Sequence, residues 1–215
     1  MSEMEIFSSA CIVTGGEELR RRVENTMMFY APEGGYFDLI LEREGAAFAE
    51  SACGFLLLDS LLLCRGIDRA GLVLERTPAG RPFVANRGDI DFSISHSEGC
   101  AFCALALGEG AGVGADIQRD RGYSEEKLSE LSKAFMTEAE YAQFLAAADK
   151  TSFFYRTWTA NEAAQKRAGA SIFGGNSDRP DGGELYASGI ITACGKRYFY
   201  SIDRAAECCS ESEIK

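Results

Sequence analysis

Apolar residues alternate with small or polar residues along much of the segment 89–118, and a period of two is typical of β-strands. The alternating apolar positions are Phe92, Ile94, Ala101, Cys103, Leu105 and Leu107. They predict two consecutive strands. Glycines at every second position from Gly108 to Gly114 then indicate a turn that leads into a third strand.

The third strand carries a polar pair on one face. Its apolar residues Val113, Ala115 and Ile117 point one way, whereas Asp116 and Gln118 point the other way. Such a pair can bind a hard cation or can be solvated, and for this strand alone the solvated interpretation is favoured.

The rest of the chain is predicted to be a mixture of helices and strands. Residues 46–64 are predicted to form a helix, and because its apolar run 55–63 is too short and too interrupted for a membrane span, we predict a buried core helix. The other predicted elements are strands at 6–13 and 72–75, a helix that starts in 17–22, helices at 123–134 and 152–167, a helix start capped by Thr137, a glycine-rich loop at 169–183, a hairpin of 185–191 with 197–202, and an acidic tail at 203–215.

Charge and cysteine content narrow the class of protein. The 215 residues carry a net charge of −11, which argues against nucleic-acid binding and against an anionic membrane surface. No secretory signal begins the sequence, so the eight cysteines are interpreted as reduced thiols of a cytoplasmic protein. Cys100 and Cys103 have the spacing of zinc ligands, but no second such pair is present, and buried strand thiols are the better interpretation.

The predicted helix 152–167 places three chemically distinct residues on one face. Trp158, Glu162 and Lys166 follow each other at intervals of four residues. For this helix alone, a packed tryptophan and a surface ion pair explain the pattern. A catalytic interpretation requires Glu162 to converge with Asp116.

Two further features favour a polyanionic ligand. Arg81 ends a proline-bounded loop, and guanidinium groups pair well with phosphate. Ser95 and His96 lie near the end of a predicted strand, although a lone histidine is more often a hydrogen-bonded loop residue. The glycines at 108–114 do not form a dinucleotide-binding loop, because a strand rather than a helix follows them.

The order and spacing of five motifs carry a family resemblance. They are Gly80-Arg-Pro82, Phe92-Ser-Ile-Ser-His-Ser97, Val113-Gly-Ala-Asp-Ile-Gln118, Ala134-Phe-Met-Thr-Glu-Ala-Glu140, and Trp158-Thr-x-x-Glu-x-x-x-Lys166. Together they resemble the 4′-phosphopantetheinyl transferases of the surfactin-synthetase-activating type. The resemblance implies an α+β fold of two similar halves that form an intramolecular pseudo-dimer with coenzyme A between them. We predict an N-terminal half at 1–88 and a C-terminal half at 89–215.

The resemblance also implies a reaction and its residues. The phosphopantetheine arm of coenzyme A would move to a serine of an apo acyl or peptidyl carrier protein, with release of adenosine 3′,5′-bisphosphate and dependence on Mg²⁺. Asp116 and Glu162 match the metal ligands, Glu162 also the base, and Lys166 the phosphate-contacting lysine. Ser95, His96 and Arg81 match coenzyme A contacts, with His96 near the 3′-phosphate. The protein would then be a cytoplasmic, monomeric transferase with holo-[acyl-carrier-protein] synthase activity.

Several departures keep an alternative open. Gln118 replaces a second acid, so the metal would have a neutral ligand or a water there, and Asn161 replaces a common lysine. A non-catalytic relative that binds coenzyme A or a carrier is therefore the second hypothesis. Among possible N-terminal basic contacts only Arg43 is a candidate. Four basic residues could form a strip that binds the carrier, or could equally be a solvated helix face. They are Arg119, Arg121, Lys127 and Lys133.

Overall fold

Within residues 4–33, 35–169, 180 and 182–206, which the computed structural model describes, the α+β fold contains two three-stranded antiparallel sheets and one two-stranded ribbon. In chain order the elements are β1 (Glu5–Ile12), α1 (Glu17–Met27), α2 (Tyr36–Leu41), α3 (Gly45–Cys64), β2 (Leu74–Arg76), β3 (Pro82–Val84), β4 (Ile90–Ser97), β5 (Cys100–Leu107), β6 (Val113–Arg119), α4 (Glu125–Phe135), α5 (Glu138–Ala146), α6 (Lys150–Ala168), β7 (Gly183–Ala193) and β8 (Lys196–Ala205).

The two larger sheets have the same topology. The first has the strand order β1-β5-β4, and α3 packs against it; the second has the order β6-β8-β7, and α6 packs against it. In each unit a strand, a long helix and two further strands follow one another, and the last strand takes the central position. The same arrangement therefore occurs twice along the chain.

This repeat does not respect the division predicted after residue 88. Strand β1 pairs with β5 along its whole length, from Glu5 opposite Leu107 to Ile12 opposite Cys100. Helix α3 also shares one apolar core with residues of β4 and β5. A boundary at residue 88 would separate α3 from the strands that cover it, so the segment 108–112 between β5 and β6 is the better division.

Helix α3 is a core helix, as predicted. It is the single helix within the described residues that is long and apolar enough to cross a membrane, but 67% of its most apolar stretch is buried inside the protein. Gly54 lets the helix approach β4, because a Cβ atom at this position would lie 2.5 Å from Cγ2 of Ile94. The predicted burial of Cys100 and Cys103 is also observed, and the two thiols belong to different cores on opposite faces of β5.

Most other predicted elements are present, with three differences. Helix α2 and strand β3 were not predicted, because each is short and lies in a segment rich in turn residues. The predicted acidic tail begins too early, since β8 continues to Ala205 and buries Asp203 completely. The remainder of that tail and most of the predicted loop at 169–183 lie outside the described residues.

The two sheets meet through side chains rather than through a backbone ladder. β4 and β6 are edge strands of their sheets, and every second side chain of β4 accepts a hydrogen bond from every second backbone N–H of β6. The pairs are Asp91 with Val113 (2.8 Å), Ser93 with Ala115 (2.9 Å), Ser95 with Ile117 (3.3 Å) and Ser97 with Arg119 (3.0 Å). This side-chain ladder provides acceptors for backbone N–H groups of β6, which would otherwise be unpaired in the protein interior.

Gly114 sets the distance between β6 and α6. A Cβ atom on Gly114 would lie 1.8 Å from the carbonyl oxygen of Ala163 and 2.6 Å from the backbone nitrogen of Arg167. Both obstacles are backbone atoms of α6, which cannot move as a side chain can. The glycine therefore allows α6 to pack directly over the face of β6 that carries Asp116.

We predict that Gly114→Ala separates β6 from α6 and lowers the free energy of unfolding by about 1–3 kcal/mol or more, the usual cost of overpacking. Urea denaturation followed by circular dichroism measures this loss. Gly88→Ala is the matched control, because a Cβ at Gly88 meets no atom within 4 Å. Equal stability of the two variants would contradict the close approach of α6.

We predict that Ser93→Ala lowers the free energy of unfolding by about 1–3 kcal/mol, because the buried N–H of Ala115 then has no acceptor. The same denaturation experiment applies. Ser60→Ala serves as the control, since the hydroxyl of Ser60 is exposed and donates only to Leu56 of its own helix. A loss no larger than that of the control would show that the ladder contributes nothing to stability.

Candidate functional site

Asp116 is the centre of the candidate site. Its side chain is 2% exposed, although it carries a carboxylate. Its Oδ1 accepts hydrogen bonds from the hydroxyl of Ser95 (2.8 Å) and from Nζ of Lys166 (2.7 Å), and its Oδ2 accepts one from Nε2 of Gln118 (3.1 Å). Residues of β4, β6 and α6 thus converge on one buried carboxylate. The predicted pairing of Asp116 with Gln118 on one face of β6 is observed.

Glu162 lies one turn before Lys166 on α6 and is electrostatically coupled to Asp116. Burial and the negative charge of Asp116 raise the pKa of Glu162, the positive charge of Lys166 lowers it, and the net result is a pKa of about 7. A carboxyl group with a pKa near neutrality exchanges a proton readily under physiological conditions. The structure therefore brings together Asp116, Glu162 and Lys166. In the sequence, Glu162 follows Asp116 by 46 residues and Lys166 follows Glu162 by 4 residues.

A cleft of about 200 Å³ opens beside Lys166, whereas Asp116 and Glu162 are not among the residues that line it. Basic residues dominate its polar lining, with the four cations Arg43, Arg76, Arg81 and Lys166 beside the imidazole of His96. For a chain with a net charge of −11, this is a strong local excess of positive charge. The cleft is suited to an anion that carries several charges.

Arg81 is held firmly within the wall of the cleft. Its guanidinium forms an ion pair with Asp91 (2.5 Å) and donates to the carbonyl oxygens of Lys166 (2.7 Å) and Val113 (3.1 Å). Much of its positive charge is therefore balanced by Asp91. These bonds connect the loop before β3 with both β6 and α6, so Arg81 also positions the residues around Asp116.

Ser95 and His96 were predicted to act together, but their side chains lie on opposite sides of β4, as neighbouring strand residues must. Ser95 is 5% exposed, and its hydroxyl contacts Asp116 and Lys166 rather than the cleft. The serines that line the cleft are Ser51 and Ser93. The structure thus supports a role of Ser95 in holding Asp116, and of these two residues only His96 lines the cleft.

His96 is oriented by an acid that the sequence did not single out. Its Nδ1 lies 3.0 Å from Oε2 of Glu50 on α3. Burial lowers the pKa of His96, Lys166 and Arg43 lower it further, and Glu50 and Asp116 raise it. The imidazole is therefore neutral at pH 7 and donates its Nδ1 proton to Glu50, while its second nitrogen stays available on the cleft side.

Two of the residues that line the cleft were missed or underrated in the sequence. Arg76 follows a strand that was predicted to end at Glu75, and no motif marks it. Arg43 was the sole basic candidate of the N-terminal segment, and it does line the cleft. Arg76 could have been recognised from the turn Thr77–Gly80. This turn makes β3 antiparallel to β2 and brings Arg76 beside Pro82.

The predicted basic strip for carrier binding is already largely paired. Arg119 and Arg121 both contact the carboxylate of Glu98, Arg121 at 2.7 Å. Lys127 pairs with Glu130 (3.0 Å), and the ammonium of Lys133 lies 5.6 Å from the ring centroid of Tyr141. Such surface pairs are weak and exchange partners easily. A carrier would therefore compete with Glu98 for two arginines.

Comparison with known proteins assigns the same segment to a family. Residues 112–189, which contain Asp116, Glu162 and Lys166, match the family model of the 4′-phosphopantetheinyl transferase superfamily. The predicted family resemblance is confirmed. The chain is 27% identical over 108 residues to the 4′-phosphopantetheinyl transferase Sfp of Bacillus subtilis (strain 168), over 49% of this chain and 45% of that protein.

Two other transferases have a similar sequence identity to this chain. A 4′-phosphopantetheinyl transferase of Bacillus subtilis is 28% identical over 109 residues, and the 4′-phosphopantetheinyl transferase HetI of Nostoc sp. (strain PCC 7120 / SAG 25.82 / UTEX 2576) is 29% identical over 112 residues. Each match covers 50% of this chain and 46% of the relative. The chain therefore spans about half the length of the curated relatives it matches.

His96 is the single histidine of the chain, so its titration is visible by NMR without ambiguity. We predict a midpoint below the ordinary value of about 6.5, because burial disfavours the imidazolium. Glu50→Gln should lower the midpoint further, since it removes a negative charge but keeps an acceptor for Nδ1. Glu44→Gln, at an exposed position before α3, should leave the midpoint unchanged. A midpoint that does not respond to Glu50 would contradict the pairing.

Proposed function

We propose that this protein transfers the 4′-phosphopantetheine arm of coenzyme A to a serine of an apo acyl or peptidyl carrier protein. The observation that carries the proposal is the convergence of Asp116 and Glu162 beside Lys166, at the edge of a cation-lined cleft. The match of residues 112–189 to the transferase superfamily, and the names of the relatives, support the same chemistry.

The shape of the fold supports coenzyme A as the substrate. The repeated strand–helix–strand–strand units favour two similar halves, and we propose that they form an intramolecular pseudo-dimer divided between β5 and β6. The cleft lies at their junction, since Ser51 and Ile94 of the first half and Lys166 of the second half line it. Its cations suit a diphosphate and a phosphate monoester, the two anionic parts of coenzyme A.

The residues fit a single magnesium ion. Mg²⁺ prefers one or two carboxylates, with phosphate oxygens and waters as the remaining ligands, and Asp116 and Glu162 supply two carboxylates. Lys166, 2.7 Å from Asp116, provides the positive charge there in the protein alone. Within the described residues no three acidic, histidine or cysteine side chains are placed to hold a metal ion together, so phosphate oxygens and waters would complete the coordination. When bound, the ion neutralises the charge of the diphosphate.

Each residue then has a defined task. Glu162 accepts the proton of the carrier serine, so that the serine oxygen forms a new bond to phosphorus. The bond between that phosphorus and the bridging oxygen of the diphosphate breaks, and adenosine 3′,5′-bisphosphate leaves. Lys166 neutralises the leaving phosphate. Ser95 and Gln118 keep Asp116 in place during the reaction.

The setting of the reaction is also a proposal. We propose a monomer that works in the cytoplasm. The six cysteines of the described residues, all free thiols, support a reducing compartment. We also propose that Arg119 and Arg121, once released from Glu98, bind the carrier protein through their positive charges.

We predict that Glu162→Gln lowers the transfer rate by a factor of about 100 or more, because the loss of a general base costs at least that much in rate. The assay is the mass increase of an apo carrier protein incubated with coenzyme A and Mg²⁺, with a panel of carriers from fatty-acid, polyketide and peptide synthesis. Glu138→Gln is the control, because Glu138 is exposed at the start of α5.

Two results would speak against this assignment. Full activity of the Glu162→Gln variant would remove Glu162 from the reaction. Tight binding of coenzyme A by the unmodified protein, without transfer to any carrier over long incubation, would favour the second hypothesis of a non-catalytic binding protein, which the replacements at Gln118 and Asn161 motivate.

A further inference from the structure

Helix α6 lies over β8 and runs in the same direction as this central strand. Near the start of both elements the ring of Tyr155 stacks on the ring of Phe199, with 5.0 Å between the ring centroids. Near the end of both elements Arg167 forms an ion pair with the completely buried Asp203 (2.5 Å). Both contacts involve large side chains, and a long arginine can follow a small shift of the helix along the strand.

Between these two contacts a pair of short hydroxyl side chains joins the helix to the strand. Oγ1 of Thr159 lies 2.7 Å from Oγ of Ser201, and both residues are completely buried. The hydroxyl of Thr159 also lies 3.3 Å from the carbonyl oxygen of Arg156, so it can donate there while it accepts from Ser201. Because short side chains have little freedom to adapt, this hydrogen bond fixes the position of α6 on β8 more closely than the two larger contacts do.

The hydroxyl pair lies next to both carboxylates of the candidate site. Ser201 is directly opposite Asp116 in the pairing of β6 with β8, so the two side chains lie on the same face of the sheet. Thr159 precedes Glu162 by three residues, about one helical turn. One hydrogen bond therefore connects the strand position beside Asp116 with the turn of α6 that carries Glu162.

We propose that Thr159 and Ser201 are positioning residues, which hold Glu162 at the place where it acts together with Asp116. The inference rests on the proposed function. Neither hydroxyl is among the groups that line the cleft, so the pair does not bind coenzyme A directly. A misplacement of a reacting group by about 1 Å can cost a factor of about 100 in rate. The loss of the pair should therefore lower kcat and leave the KM for coenzyme A unchanged.

The test is the steady-state kinetics of transfer to an apo carrier protein, measured for Thr159→Val and for Ser201→Ala. Each variant should lower kcat by a factor of about 10 to 100 without a change in the KM for coenzyme A. The double variant should lose no more than either single variant, because both changes break the same hydrogen bond. Thr159→Ser keeps the hydroxyl and should retain most of the activity.

Tyr30→Phe is the matched control for a general loss of stability. It also removes a buried hydroxyl hydrogen bond, the one from Tyr30 to Asp59 (3.0 Å), but in the core that α3 shares with the first sheet. Its kcat and its KM for coenzyme A should equal those of the unmodified protein. Thermal melts of all variants give a temperature at which each one is folded, and the kinetics are measured there.

The possible outcomes separate the inference from the proposed function. If the unmodified protein transfers the arm to no carrier, both are overturned. If it is active, but Thr159→Val and Ser201→Ala keep their kcat, raise KM instead, or lose no more than Tyr30→Phe, the positioning role is overturned and the proposed function is not affected. The same conclusion follows if Thr159→Ser is as slow as Thr159→Val, because the hydroxyl is then not the group that matters.

Discussion

The structure depends on the way in which β4 and β6 meet. Each strand forms the edge of a three-stranded sheet, and an edge strand inside a protein presents backbone donors and acceptors that need partners. The side chains of Asp91, Ser93, Ser95 and Ser97 accept hydrogen bonds from the backbone of β6. Because these side chains are short, they fix both the distance between the sheets and their register.

The same contact creates the candidate site. Ser95 accepts the N–H of Ile117 with its hydroxyl oxygen and donates the hydroxyl proton to Asp116. Asp91 is bonded to the N–H of Val113 and also pairs with Arg81. A shift of one residue in the register would bring Phe92 and Ile94 against the edge of β6 and would remove both links. The scaffold and the site are thus stabilised by the same four side chains.

The sequence predicted the elements of this arrangement better than the contacts between them. The period of two in 89–118 was sufficient for three strands and for the common face of Asp116 and Gln118. The same pattern gave no reason to distinguish a polar side chain that faces solvent from one that accepts a hydrogen bond from another strand. For this reason the roles of Ser93 and Ser95 were not anticipated. Glu50 was missed because its partner His96 is distant in sequence, and Arg76 was missed because no motif marks it.

The balance of charge in the site follows from burial. An isolated carboxylate as deeply buried as Asp116 would be strongly disfavoured, so it requires a cation and hydrogen-bond donors. Lys166 supplies the cation within the protein itself, whereas burial and the negative charge of Asp116 raise the pKa of Glu162. A divalent cation at this position would satisfy both carboxylates and would release Lys166 towards a phosphate group. The protein alone thus holds a buried acid, its lysine counterion and a second acid with a raised pKa at one place between β4, β6 and α6.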